Sequence, residues 1–128
     1  MQLQAVHHIA IICSDYEASK AFYTDLLGFT IIREVYREDR DSYKLDLALN
    51  GSYIIELFSF PDAPERPSYP EARGLRHLAF EVMNIKDAVD ELRHYGIEVE
   101  DIRTDPYTSR RFTFFSDPDG LPLELYEI

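Results

Sequence analysis

"VHHIAIICSDYEASKAFYTDLLGF", residues 6–29, and "LRHLAFEVMNIKDAVDELRHYGI", residues 75–97, read as two copies of one pattern: an apolar strand, a helix, a glycine and the opening of a further strand. An internal repeat of this kind dictates the architecture before any finer reading. In the first copy Ser14 is placed as helix N-cap with Glu17 three residues on, and Gly28 supplies the left-handed residue that ends the helix. Ala18, Phe22 and Leu26 are expected to face inward. In the second copy Asn84 caps and Gly96 stops. Ile85, Ala88, Val89 and Leu92 recur at the spacing of a helix with one apolar face against a sheet.

Three strands are predicted after each helix, about 29–36, 43–49 and 53–58, then about 97–102, 111–116 and 121–127. "NGS" from Asn50 joins one pair as a tight hairpin, and "DPDG" from Asp117 supplies turn chemistry for the other. Residues 59–74 carry four prolines and no strand or helix period, so they read as a linker between module 1 (about 5–58) and module 2 (about 75–128). A module of roughly 60 residues buries its own sheet face poorly. The expected fold is therefore α+β, a single domain over 1–128 in which two βαβββ modules share one eight-stranded mixed sheet with the helices on its outer face.

Bulk properties narrow the function. Thirteen Lys and Arg against 24 Asp and Glu give a net charge of −11, which repels phosphate backbones and anionic membrane surfaces. Nucleic acid and membrane are not expected partners. No apolar run reaches the ~18 residues of a membrane helix, and "MQLQAVHH" lacks the character of a secretory signal, so a soluble cytoplasmic protein is expected. Cys13 is the only cysteine, which leaves nitrogen and oxygen as the donors for any metal.

"IIELF", residues 54–58, sets Glu56 in the middle of an apolar strand. An ionised carboxylate there requires a partner. The repeat supplies candidates: His8 and His77 lie 69 positions apart (77 − 8), Glu56 and Glu124 lie 68 apart (124 − 56), so a His near the start and a Glu near the end recur in each copy. Strand alternation agrees, because each of the four sits opposite a more apolar set. Two imidazoles and two carboxylates suit one divalent ion, with zinc, nickel, cobalt, iron and manganese all compatible. Each residue also has a plainer reading: a His in a strand is commonly a hydrogen-bonded core residue, Glu56 could pair with Arg110 or Arg111, and Glu124 could be exposed. Agreement of all four under one repeat favours the metal. Arg37, Arg40 and Lys44, with Arg110 and Arg111, are further possible anion contacts or solvated loop residues. Arg76 is expected to be structural.

Together, "HHIAIICSDYEASKAFYTDLLGF", "NGSYIIELF", "GLRHLAFEV" and "FFSDPDGLPLELYE" resemble the glyoxalase/bleomycin-resistance/dioxygenase group, the vicinal oxygen chelate superfamily, over nearly the whole chain. The resemblance implies an eight-stranded open barrel built from the paired modules. The His, Glu, His, Glu set looks like that of glyoxalase I, which implies His8, Glu56, His77 and Glu124 as metal ligands, Glu124 as the catalytic base and Glu56 as its counterpart. The implied activity is that of a metal-dependent lyase or isomerase moving a proton beside a carbonyl, with the hemithioacetal of methylglyoxal as leading substrate. Bacterial glyoxalase I holds glutathione partly through an Arg four residues after its first ligand His and an Asn four residues beyond its first ligand Glu. Here Ile12 and Phe60 stand at those places, which opens the site to another thiol adduct or another small vicinal-oxygen substrate. A sequestering protein of the same fold, and an extradiol-type dioxygenase, are the alternatives; sequestering members generally lack the four ligands, and the dioxygenases use only three. Uncovered sheet edges and apolar surface predict a homodimer.

Overall fold

A computed structural model describes residues 1–128. The chain forms two compact units, Met1–Pro64 and Glu65–Ile128. The first runs β1 (Ile9–Cys13), α1 (Tyr16–Ala21), a π-helical turn (Phe22–Leu26), β2 (Thr30–Arg37), a 3-10 turn (Glu38–Arg40), β3 (Ser42–Leu49) and β4 (Ser52–Ser59). The second runs β5 (Leu78–Val82), α2 (Ile85–His94), β6 (Arg103–Thr104), β7 (Arg111–Ser116) and β8 (Pro122–Glu127).

Hydrogen bonding links these strands into two four-stranded sheets, β1-β4-β3-β2 and β5-β8-β7-β6, where one eight-stranded sheet was expected from the sequence. The reason is that each copy completes its own ladder. Its first strand pairs in parallel with its last across the helical crossover, and the remaining strands follow as antiparallel neighbours. Neither sheet is closed, since each retains two outer strands.

Alternation decides which face of each sheet is buried. In the first unit Ile11, Cys13, Leu45, Leu47, Ile55 and Leu57 are buried on one face. Burying a leucine or isoleucine completely contributes about 1.5–3 kcal/mol relative to leaving it exposed. The β3–β4 hairpin turns through Asn50 and Gly51, both at positive φ (50° and 81°), the geometry that an Asn-Gly pair adopts with least strain. In the second unit Ile85, Val89 and Leu92 form the buried stripe of α2, and Lys86 Nζ donates to Asp90 at 2.8 Å on its exposed side.

Local details depart from the sequence expectation in three places. Asp15, one residue beyond Ser14, caps α1 by accepting from the Ala18 amide at 3.1 Å. The Leu27 amide reaches back five residues to the Phe22 carbonyl (3.0 Å), and the wider turn rotates the helix. Tyr16, Ser19, Phe22 and Tyr23 point inward while Ala18 is exposed. The strand expected at 97–102 is reduced to Arg103–Thr104, since β6 pairs with β7 only at Arg103↔Phe112 and Thr104↔Arg111. Asn84 caps α2 as predicted, accepting from the Asp87 amide at 3.1 Å.

Candidate metal centre

His8 lies one residue before β1, and β1 sets Ala10 opposite Glu56 of β4. His77 lies one residue before β5, and β5 sets Ala79 opposite Glu124 of β8. In both units the His is two residues ahead of the alanine that faces the Glu, so parallel pairing brings imidazole and carboxylate to the same spot on the sheet. His8 Nε2 is 3.8 Å from Glu56 Oε1, and His77 Nε2 is 2.9 Å from Glu124 Oε2. Both glutamate side chains are largely shielded, with relative exposures of 16% and 14%. The structure therefore makes two equivalent His–Glu pairs, one per unit, and no group of three or more His, Cys, Asp or Glu arranged to hold a metal.

The donor atoms of the pairs suit a divalent ion in chemistry. Two donors each about 2.1 Å from one ion stand about 3.0 Å apart at a right angle and about 3.4 Å apart at the tetrahedral angle. The His77–Glu124 separation of 2.9 Å matches the right-angle value, and the His8–Glu56 separation of 3.8 Å is about 0.4 Å wider than the tetrahedral one. One imidazole and one carboxylate per pair is the nitrogen and oxygen set that zinc, nickel, cobalt and manganese share.

Surroundings differ sharply between the two pairs. Glu56 sits in a polar network: its Oε2 accepts from the Tyr53 hydroxyl at 3.1 Å and lies 3.4 Å from Lys44 Nζ, which leaves Oε1 toward His8. Lys44 also donates to both oxygens of Asp46, at 2.8 and 3.0 Å, and the Tyr53 hydroxyl lies 2.9 Å from Asp46 Oδ1. Burial works to raise the Asp46 carboxyl, but the bonds from Lys44 and Tyr53, helped by the charges of Lys44 and Arg33, hold it below its ordinary value. Hydrogen bonding to Asp46 raises the Lys44 ammonium against the opposing effect of burial. Burial and then the two carboxylates raise the Tyr53 phenol, which keeps its proton. Nothing comparable surrounds Glu124. His77 meets the Phe114 ring edge to face at 5.1 Å, and Arg103 covers the Phe112 and Phe114 rings at 5.0 and 5.6 Å.

Reading the sequence alone missed part of this network. Alternation assigns Tyr53 to the face opposite Glu56, yet Leu47 pairs with Ile55 while Ala48 pairs with Tyr53, so Ile54 is an inserted residue. A one-residue slip reverses every side chain beyond it, and Tyr53 turns onto the ligand face. Lys44 and Asp46 were legible as opposite charges two apart on one strand, but Lys44 is bound to Asp46 and Glu56 instead of waiting for an anion. His7, of the opposite alternation, still reaches His8, with Nδ1 to Nδ1 at 2.8 Å, and packs on Tyr53. Arg111 pairs with Glu127 and not with Glu56, at 2.7 Å. Arg76 lies over the Tyr69 ring at 5.1 Å and donates to the Ser68 carbonyl, a structural role as expected.

The chain is similar to known proteins over nearly its whole length. YwkD of Bacillus subtilis strain 168 is 70% identical over 127 residues, covering 99% of both chains. The crystal structure of a glyoxalase family protein from Enterococcus faecalis superposes with a TM-score of 0.91 at 49% identity, over 99% of this chain and 100% of that one. A lactoylglutathione lyase of Salmonella typhimurium is 30% identical over 127 residues, 94% of this chain and 90% of the enzyme. The profile of one family matches residues 5–125, which takes in both modules and all four His and Glu positions. With its repeated strand, helix and three strands and its two matched His–Glu pairs, the chain belongs to the Glyoxalase/Bleomycin resistance protein/Dioxygenase superfamily.

Proposed function

We propose that the protein is a metal-dependent lyase or isomerase of the glyoxalase I type, acting on a small substrate with two adjacent oxygens such as a thiol adduct of methylglyoxal. The carrying observation is the matched register, Ala10↔Glu56 and Ala79↔Glu124, which gives each copy one imidazole beside one carboxylate. On this reading His8, Glu56, His77 and Glu124 are the protein ligands of one divalent ion per site, and the protein works as a homodimer. The ion, when bound, supplies a Lewis acid that polarises the substrate oxygens.

The chain's own residues then divide the work. Glu56 is tethered on Oε2 by Tyr53 and Lys44 and holds one orientation, which suits a fixed ligand. Glu124 has His77 as its sole polar partner and is the carboxylate free to swing, so it takes the proton from one substrate carbon and returns it to the neighbouring carbon. Phe112 and Phe114 keep water from the carbon acid while it is exposed. A 30% identical lactoylglutathione lyase supports this reaction class.

Metal content and turnover test the proposal together. Purified protein should hold about one divalent ion per site, and His8→Ala combined with His77→Ala should abolish it. Unchanged metal occupancy in that double variant refutes the ligand assignment. Methylglyoxal offered with several thiols, across nickel, cobalt, zinc and manganese, should give turnover that Glu124→Gln removes. Tight metal binding without turnover under any of these conditions refutes the methylglyoxal substrate.

A further inference from the structure

The ligand face of the first sheet carries three cations on β2 and β3, and two of them have carboxylates to answer. Lys44 is bonded to Asp46, and β2–β3 register sets Arg33 opposite Asp46. Arg37 is different. It lies opposite Ser42, on the same face as Lys44, Asp46, Glu56 and Phe58, and pairs with no carboxylate although the chain has 24 of them. Of five N–H donors in a guanidinium, one is used: Nη2 donates to Ser42 Oγ at 2.9 Å. Its Nε is buried and has no acceptor at all.

Two rings lie against this group. Arg37 lies over Phe58 at 4.8 Å and over Phe60 at 5.6 Å, and those rings stack on each other with an interplanar angle of 25°. Stacking uses the flat faces of a guanidinium and leaves its edge, where the N–H bonds point, for an acceptor in the plane. Arg37 as a whole is only half-buried, so an oxygen arriving at the rest of the guanidinium can settle against it and draw in the Nε–H that now lacks an acceptor. The matching partner is an oxyanion, which can accept two parallel N–H bonds.

We propose that Arg37, held on the Phe58–Phe60 platform, binds an anionic oxygen group of the substrate, so that the substrate is a small vicinal-oxygen compound bearing a carboxylate, phosphate or phosphonate. This rests on the metal-dependent reading above, since that reading supplies the other end of the molecule. Phe58 is two residues beyond Glu56 on β4, which places the platform about 7 Å along the strand from the ligand carboxylate. A substrate of a few carbons spans that distance.

The test uses the full-length 15N-labelled protein, with zinc removed and with zinc added, and three probes: succinate, phosphonoacetate and the neutral succinamide. The Arg37 Nε–Hε resonance should shift saturably with either anion and stay in place with succinamide. Arg37→Gln should weaken both anions by about tenfold or more, the loss of one charge-assisted pair. Arg37→Lys retains the charge without the fork and should weaken them several-fold, which keeps the test alive if the Gln variant does not fold. The tighter of the two anions identifies the oxyanion class. Equal binding of succinamide, or wild-type anion affinity in Arg37→Lys, overturns the proposal. Zinc titrated into the same samples separates the two readings: an Arg37-dependent anion response without zinc binding removes the metal centre alone. Zinc binding without that response removes the Arg37 site alone.

Discussion

Replacing Tyr53 by Phe deletes one oxygen and probes the most interconnected part of the site. That hydroxyl lies 2.9 Å from Asp46 Oδ1 and 3.1 Å from Glu56 Oε2, and without it Lys44 is left as the sole donor between the two carboxylates. A hydrogen bond to a charged group contributes about 1.5–3 kcal/mol. Partial contact with water reduces this to about 1–2 kcal/mol. Each kcal/mol is worth about 4–8 °C in a domain of 60–100 residues and about 2–4 °C at 150–250, so this chain of 128 residues should melt about 3–10 °C lower, measured by calorimetry or circular dichroism. The Asp46→Asn background supplies the control. There the new amide can donate to Glu56, so the loss of Tyr53 should cost about 1 kcal/mol less than it does alone. Zinc affinity of Tyr53→Phe should also fall by about 10–100-fold, as when a partner that orients a ligand is removed. A melting temperature within 1 °C of wild type by roughly the scatter of the method, together with additive effects in the cycle, would show that the hydroxyl does not tie these carboxylates together.

Two further outcomes can be checked. Glu127 accepts from Arg111 and from the Ile85 amide at the start of α2, and these two bonds, the arginine first, lower its carboxyl below its ordinary value of 4.5. A carboxyl depressed by folding stabilises the protein above its unfolded value, and that contribution disappears as pH falls through the folded one. The advantage of wild type over Glu127→Gln in urea melts should therefore be full at neutral pH and shrink steadily in acid; a difference independent of pH would refute the assignment. Sedimentation at micromolar concentration should show a dimer, because the first unit exposes Ile12, Ile31, Ile32 and Val35 and keeps β1 and β2 as outer strands. Monomer alone would contradict it.

Elements whose origin is local were legible in the sequence. The repeat, the Asn50-Gly51 hairpin and the Asn84 cap each depend on a few neighbouring residues, and the matched His–Glu pairs follow from the repeat plus strand alternation. Features that depend on how strands and turns settle against one another were not. The five-residue reach from Leu27 to Phe22 is a π turn that no regular helix spacing anticipates, and α1 buries the stripe that starts at Tyr16 and Ser19 in place of the one through Ala18. The inserted Ile54 moves Tyr53 to the other face, where a strict period of two excludes it. Which cations were already satisfied was also beyond the sequence, because Lys44 and Arg37 are both basic residues on one sheet face and differ only in what they touch. Pairing into two sheets in place of one followed from each copy having enough strands to complete a ladder by itself.

Asp46 of the first copy corresponds in register to Phe114 of the second, each being the residue opposite the glutamate of its own hairpin. A protein assembled from two separate, identical half-length chains could not have a charge at one of these positions and a ring at the other, since any substitution would appear twice. Fusion of the copies into one polypeptide lifts that restriction. Divergence could then make one carboxylate a fixture and its twin a moving part, a specialisation closed to a pair of identical half-length chains.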